Sequence, residues 1–162
     1  SADSDLDTVY TVGLLNSNEA AVEKLMQQPG GLISLSDGGA HLRYLCDAGY
    51  GLHLLGHWVR DRKAFELTDA IYRLTSLPAK LYQIANRGQI SRGMYADLLL
   101  FDPKTVGRGS LYRSFDLPGN ESRLMRRPLG VHGVWVNGTE VFNGTNYLEV
   151  IPPGMVLDNF SI

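Results

Sequence analysis

The sequence is poor in cysteine, in excess charge and in long apolar runs. Cys46 is the single cysteine in 162 residues, so no internal disulfide forms, which suits a reducing compartment and predicts the cytoplasm. The formal net charge is −2 and no basic cluster is evident, which argues against nucleic acid or a membrane surface as a partner. No apolar run reaches the length of a membrane span, and no secretion signal is visible.

The first third of the chain predicts a helix followed by a buried strand. Ser17 or Asn18 is a suitable N-cap for a helix with apolar positions between residues 21 and 26, and Pro29-Gly30 ends it. The run Leu32–Leu35 lies between glycine pairs and has no polar face except Ser34, which is typical of a parallel strand buried on both sides. Helix and strand together indicate an α/β unit.

The rest of the chain changes from helical to β-rich. Apolar spacing predicts helices over residues 51–60 and 67–84, the second interrupted before Pro78. "ADLLLFDP" predicts a strand, and residues 131–142 predict a hairpin with Asn137-Gly138 in the turn. The polar stretch 117–130 reads as a long connection with at most one helical turn. We expect the boundary near residue 90.

Asp37 is the strongest candidate for chemistry on local pattern. It follows an apolar strand, and the carboxyl ends of parallel strands carry the active site in α/β folds. Gly38 and Gly39 allow a ligand to approach the backbone closely, and His41 is suited to orienting a substrate or a carboxylate. The alternative is that Asp37 only caps the next turn or helix.

Two further candidates have simpler explanations. His53 and His57 have the i, i+4 spacing of a helical zinc site, but Leu54 stands where the zincin motif needs glutamate, so we expect both at the margin of a packed helix. Cys46 has no evident basic partner nearby, so a small buried side chain is favoured over a reactive thiol.

Three separate motifs resemble one family in the same order. They are "SDGGAHLRYLCDAGYGLHLLGHWVR", "RLTSLPAKLYQIANRGQISRGMYADLLLFDPKTV" and "GVWVNGTEVFNG". Together they resemble the C-terminal end of the amidohydrolase superfamily, closest to its N-acyl-D-amino-acid deacylase (D-aminoacylase) branch. The resemblance runs from about Leu14 to the hairpin.

This resemblance implies a metal-dependent hydrolase built on a (β/α)8 barrel with one or two divalent ions, usually zinc. Asp37 matches the acid that ends the eighth strand, where it binds metal or takes the proton from the attacking water. His41 matches a histidine after the glycine-rich turn of Gly38 and Gly39, which implies contact with the substrate or support of a neighbouring ligand. Asp37 is the one metal ligand that the resemblance assigns to this chain.

The chain departs from the family in lacking the rest of the metal site. The family's other histidines precede this acid, whereas no histidine lies before His41 here. A complete barrel also needs roughly 200 residues upstream. We therefore expect a C-terminal segment that holds no stoichiometric zinc alone, while the intact enzyme holds zinc or another divalent metal.

The expected fold is α/β plus β. Residues 1–90 would form the last strand-helix units of an incomplete (β/α)8 barrel, and residues 91–162 the C-terminal part of a small β-sandwich.

The expected function is hydrolysis of the amide bond of N-acyl-D-amino acids, a small-molecule substrate, with the segment inactive alone. The alternatives are a cyclic-amide hydrolase such as a hydantoinase or dihydroorotase, and a noncatalytic self-associating module. A homo-oligomer is expected because the segment lacks the neighbours of its strands, the alternative being a monomer whose 107–127 connection covers the edges.

Overall fold

The computed structural model describes residues 15–34 and 43–158, which fall into two units divided after Gly31. The described part of the first unit contains helix α1, Glu19–Met26. Asn18 caps it, because the side-chain oxygen of Asn18 accepts a hydrogen bond of 3.1 Å from the backbone N–H of Ala21. The helix ends before Gly30, whose φ is +82°. The predicted helix and its cap are confirmed.

The predicted strand at Leu32–Leu35 is not observed over its described residues. Leu32, Ile33 and Ser34 have no ladder partner, and Leu35 lies outside the described residues. A strand buried on both faces belongs to the interior of a sheet, where it pairs with a neighbouring strand along each edge. All strand pairs in the described ranges are antiparallel and use residues after 97.

The middle of the second unit is helical, as predicted, but with a different internal geometry. Helix α2, Tyr50–His53, runs directly into a π-helix, Leu54–Asp61. Helices α3, Leu67–Leu74, and α4, Ser76–Leu81, follow. The break between them falls at Thr75 and not just before Pro78, because Pro78 sits in the first turn of α4, where its missing N–H costs no hydrogen bond. None of the helices in the described ranges is long and apolar enough to cross a membrane.

Three strands form the first sheet: β1, Leu98–Phe101, β4, Val131–Val136, and β5, Thr139–Phe142. Their order in the sheet is β1-β4-β5, and both pairs are antiparallel. The turn between β4 and β5 has φ values of +47° at Asn137 and +82° at Gly138. Both the "ADLLLFDP" strand and the Asn-Gly hairpin are therefore confirmed.

The prediction of a long connection over residues 117–130 is wrong, because residues 107–129 form a long hairpin. Strand β2, Gly107–Leu117, pairs antiparallel with β3, Glu121–Leu129, across a 3₁₀ turn at Pro118–Asn120. Gly119 and Asn120 have positive φ and reverse the chain. Asp116 and Arg123 join the strands through hydrogen bonds of 2.7 Å.

The core of the second unit lies where the π-helix meets the start of β2. Gly56 lies so close to β2 that an added Cβ would be 2.6 Å from the carbonyl oxygen of Val106. That same carbonyl accepts a 2.5 Å hydrogen bond from Nη1 of Arg60. The buried apolar residues are Cys46, Leu54, Leu55, Trp58, Phe65, Ala70, Ala79, Val106, Val131 and Phe142.

The order of elements is helices first and strands later, which agrees with a β-rich last part, but the described residues before Leu98 form no strand, so they do not show the α/β character expected of the first part. Within the described ranges, however, the strands form two antiparallel sheets and no closed barrel. The division into residues 1–90 and 91–162 stays a prediction.

Candidate functional site

The residues that the sequence marks as the site fall in one segment. Asp37, Gly38, Gly39 and His41 all lie in residues 35–42, outside the described residues. The structure therefore shows the chain entering and leaving this segment, and the roles of the four residues stay predictions.

Arginines of the β2–β3 hairpin hold the chain that leaves the segment. Nε of Arg126 donates a 3.2 Å hydrogen bond to the carbonyl oxygen of Cys46. Nη2 of Arg113 lies 3.5 Å from the carbonyl oxygen of Arg43, whose own side chain forms an ion pair with Glu121. That ion pair is exposed and contributes little. The half-buried Arg126 is thus the firmest anchor of residues 43–46, and no sequence signal marked it.

Cys46 and the histidine pair have the surroundings that the sequence predicts. Cys46 is buried. The rings of His53 and His57 stack at 4.8 Å with an interplanar angle of 5°, and the His57 ring meets the edge of Trp58 at 5.0 Å. Trp58 is itself buried. The pair therefore lies at the margin of a packed helix, as expected.

A metal site is not supplied by residues 15–34 and 43–158. Across these ranges, no three side chains of the types His, Cys, Asp and Glu come together in a group that could hold a metal ion. Catalytic zinc uses three protein ligands and a water. The described residues therefore form no complete metal site by themselves.

A groove of about 890 Å³ lies between the helices and β1 in the second unit. Asp97 is the acidic residue among its lining side chains. Its carboxylate forms an ion pair with Arg87 and accepts a 2.8 Å hydrogen bond from the backbone N–H of Asn137. Asp97 is thus committed to the fold and is not placed as a catalytic base.

The carboxylates with shifted pKa values also serve the fold. The backbone N–H of Lys104 donates to Asp102 and holds the pKa of that carboxyl below its usual value. Hydrogen bonds from Arg60 and Arg123 lower the pKa values of Asp61 and Asp116 in the same way. Asp61 ends the π-helix, Asp102 lies in the turn after β1 and Asp116 lies on the β2–β3 hairpin, so the charge of each stabilises local structure.

A family model described as "Amidohydrolase family" matches residues 5–141. D-aminoacylase from Alcaligenes xylosoxydans xylosoxydans is 38% identical over 89 residues, covering 55% of this chain and 16% of that protein. N-acyl-D-aspartate deacylase from the same organism is 36% identical over 105 residues, covering 65% of this chain and 19% of that protein. The chain thus spans less than a fifth of the length of these relatives.

Solved structures of the same kind are similar to the chain. A crystal structure of D-aminoacylase aligns with a TM-score of 0.50 at 36% identity, covering 63% of this chain and 20% of that one. N-acyl-D-glutamate deacylase from Bordetella bronchiseptica, complexed with zinc and a phosphonate inhibitor, aligns with a TM-score of 0.53 at 33% identity, covering 68% and 21%. Another matched structure concerns the binuclear metal center of D-aminoacylase.

Proposed function

The chain belongs to the amidohydrolase family, and from this premise we propose that it is the C-terminal part of a hydrolase that cleaves the amide bond of N-acyl-D-amino acids. The observation that carries the proposal is the 36–38% identity to two deacylases of this substrate class. The aligned part is a minor share of those proteins, so the activity belongs to a longer polypeptide.

For the fold, we propose that residues 1–90 complete a (β/α)8 barrel and that residues 91–162 belong to a β-sandwich. The order of helices before antiparallel strands supports this division. The alignment with two deacylase structures supports it as well.

Asp37 is the general base and acid of the proposed reaction. Its carboxylate accepts the proton of the water that attacks the amide carbonyl, and later donates that proton to the departing amine. Gly38 and Gly39 leave the backbone open to the substrate, and His41 contacts the substrate or orients a neighbouring group.

Zinc or another divalent metal is proposed as the cofactor of the longer protein, because deacylase structures similar to this chain are described with zinc or a binuclear center. Asp37 is the ligand that this chain would contribute, and the other ligands would come from the remaining polypeptide. We expect the chain alone to purify without stoichiometric zinc, which elemental analysis measures.

The test is Asp37→Asn in the longer protein. The amide keeps the size of the carboxylate but does not accept a proton, so turnover of N-acetyl-D-amino acids falls by about 10²-fold or more. Asp47→Asn is the matched control, because Asp47 is exposed and forms none of the described ion pairs. Near-normal turnover in Asp37→Asn would remove Asp37 from this role.

The two alternatives are separated by simple observations. Turnover of hydantoins or dihydroorotate in preference to N-acyl-D-amino acids would favour the cyclic-amide hydrolase. The noncatalytic module and the proposed enzyme both predict that the described residues contain no three-ligand group, so the gene must separate them. A stop codon directly before Ser1 in the gene would favour the module, whereas an in-frame His-x-His several hundred residues upstream would favour the enzyme.

A further inference from the structure

A second cavity of the 32–162 unit combines apolar walls with arginines. Its volume is about 320 Å³, at the small end of the roughly 300–1,000 Å³ of small-molecule pockets. The walls come from α2, β1, β4 and β5, and the arginines come from β2 and β3. The apolar lining residues are Leu52, Leu99, Val131, Val134, Val141 and Phe142.

Arg126 is held in place at this cavity by backbone oxygens. Its Nε donates to the carbonyl oxygen of Cys46 at 3.2 Å, and its Nη1 donates to that of Gly109 at 2.8 Å. Neither bond neutralises the positive charge. The guanidinium is therefore oriented in advance while its charge remains without a carboxylate among the described ion pairs.

Arg108 brings a second positive charge to the same wall. It pairs across the ladder with Pro128, and Arg126 lies two residues before Pro128, so these side chains share one face of the hairpin. Cβ of Arg108 lies 3.6 Å from the Cβ position at Gly49, at the start of α2.

Arg127 lines the cavity too, although its guanidinium lies over the Tyr112 ring at 5.7 Å. None of the residues that line the cavity is acidic. Guanidinium groups bind carboxylates through charge-assisted hydrogen bonds, which are about twice as strong as neutral ones. The walls, in contrast, favour a group without polar atoms.

We infer that this cavity binds an aliphatic carboxylate, with its hydrocarbon chain between α2 and the β1-β4-β5 sheet and its carboxylate against Arg126 and Arg108. The small volume suits a medium-chain acid and excludes a macromolecule from the interior. Tyr147, which is 82% exposed, also lines the cavity, with its ring 5.2 Å from that of Phe142. The inference does not rest on the proposed function, because the site needs no turnover.

The test is calorimetric titration of the 162-residue chain with octanoate, 1-octanol and acetate. We expect octanoate to bind at least about 10-fold more tightly than octanol, because octanol keeps the tail but lacks the charge. Acetate, which has the charge without the tail, binds more weakly still. Equal binding of octanoate and octanol, or no binding of octanoate at millimolar concentration, would overturn the inference.

The Arg108→Gln variant tests how much the positive charge contributes to binding, independently of the apolar walls. Arg108 is exposed and its side chain makes none of the described hydrogen bonds, so we expect the variant to fold. Its affinity for octanoate falls by about 10-fold while its affinity for octanol is unchanged. Arg92→Gln, an exposed arginine outside the cavity, is the matched control and keeps the affinity of the parent chain. Loss of octanoate binding in Arg92→Gln to the same extent would indicate nonspecific charge and reject the site.

Discussion

Arg87 joins three segments of the second unit through one side chain. Its guanidinium forms an ion pair with Asp97, donates a 2.8 Å hydrogen bond to Oδ1 of Asn137, and lies 4.3 Å from the centre of the Tyr95 ring. Its Nε is buried and makes no hydrogen bond. The loop after α4, the start of β1 and the β4–β5 turn are therefore fixed by a residue that no sequence pattern singled out.

Arg87→Met tests this role. The substitution keeps the apolar stem and removes the charge, leaving Oδ2 of Asp97 and Oδ1 of Asn137 without their donor. We expect the free energy of unfolding to fall by about 2 kcal/mol, measured by urea denaturation. The control, Arg92→Met, changes an exposed arginine and should cost less than about 0.5 kcal/mol. Equal effects of the two substitutions would contradict the role of Arg87.

Asp102 stabilises the turn that follows β1, and its titration makes that stability depend on pH. The backbone N–H of Lys104 donates to its carboxylate at 2.8 Å, and this bond lowers the pKa. The unfolded carboxyl therefore takes up a proton at a higher pH than the folded one. The contribution to stability is present above the unfolded pKa, near 3.9, and is lost as pH falls through the lower folded value.

Asp102→Asn is expected to flatten the acid limb of the stability curve. The asparagine oxygen still accepts from Lys104, but it does not titrate. Between about pH 5 and pH 2.5 the melting temperature of the variant should fall by less than that of the parent chain. Asp158→Asn, an exposed position without a described partner, serves as the comparison. An unchanged slope in Asp102→Asn would show that Asp102 does not contribute.

At the scale of elements, the spacing of apolar residues in the sequence predicted those helices and strands that have an apolar face. The helices of the middle region and the β4–β5 hairpin were predictable because their apolar residues recur at regular spacing or flank an Asn-Gly turn. The β2–β3 hairpin was not, because Arg113 interrupts the alternation of Leu111, Phe115 and Leu117, and the Pro-Gly-Asn turn that follows is typical of a connection. The π-helix was also missed, since its wider turn follows from packing against β2.

Gly56→Ala tests the contact between the π-helix and β2. An added Cβ would lie 2.6 Å from the carbonyl oxygen of Val106 and 3.1 Å from Cα of Gly107, and both are backbone atoms that move only with the strand. Alanine favours helices by up to about 1 kcal/mol, whereas overpacking costs about 1–3 kcal/mol. We expect a net loss of about 1–2 kcal/mol in thermal or urea unfolding. Gly154→Ala is the control and should leave the free energy of unfolding unchanged, because the Cβ position at Gly154 is open. A Gly56→Ala variant more stable than the parent chain would show that the π-helix shifts away from β2 without loss of stability.

At the scale of the whole molecule, the family was predictable and the site was not. Three motifs in the right order identified the amidohydrolases, and the match over residues 5–141 confirms this. A metal site in a barrel, in contrast, takes ligands from several strands that are far apart in sequence. In the proposed function this chain contributes one such ligand, Asp37, and its partners are not predictable from the residues that accompany it.

The exposed apolar residues of β1 lead to the last prediction, that the chain self-associates. Leu98, Leu99 and Leu100 are 38%, 45% and 53% exposed, and β1 pairs only with β4 among the described strands. An open apolar edge invites pairing with a second copy, which supplies hydrogen-bond partners and buries apolar area worth about 25 cal/mol per Å². The alternative of a monomer covered by residues 107–127 is weakened, because those residues pair with each other in the β2–β3 hairpin.

A symmetric dimer through β1 satisfies both copies at once. Light scattering at micromolar concentration should therefore give a mass above that of one 17.9 kDa chain. Leu100→Lys places a charge on the edge and should shift the equilibrium toward the monomer, whereas Val156→Lys, at an exposed position after the strands, should not. A monomeric mass for the parent chain, together with cooperative unfolding, would instead mean that the chain tolerates the open edge of β1 without a partner.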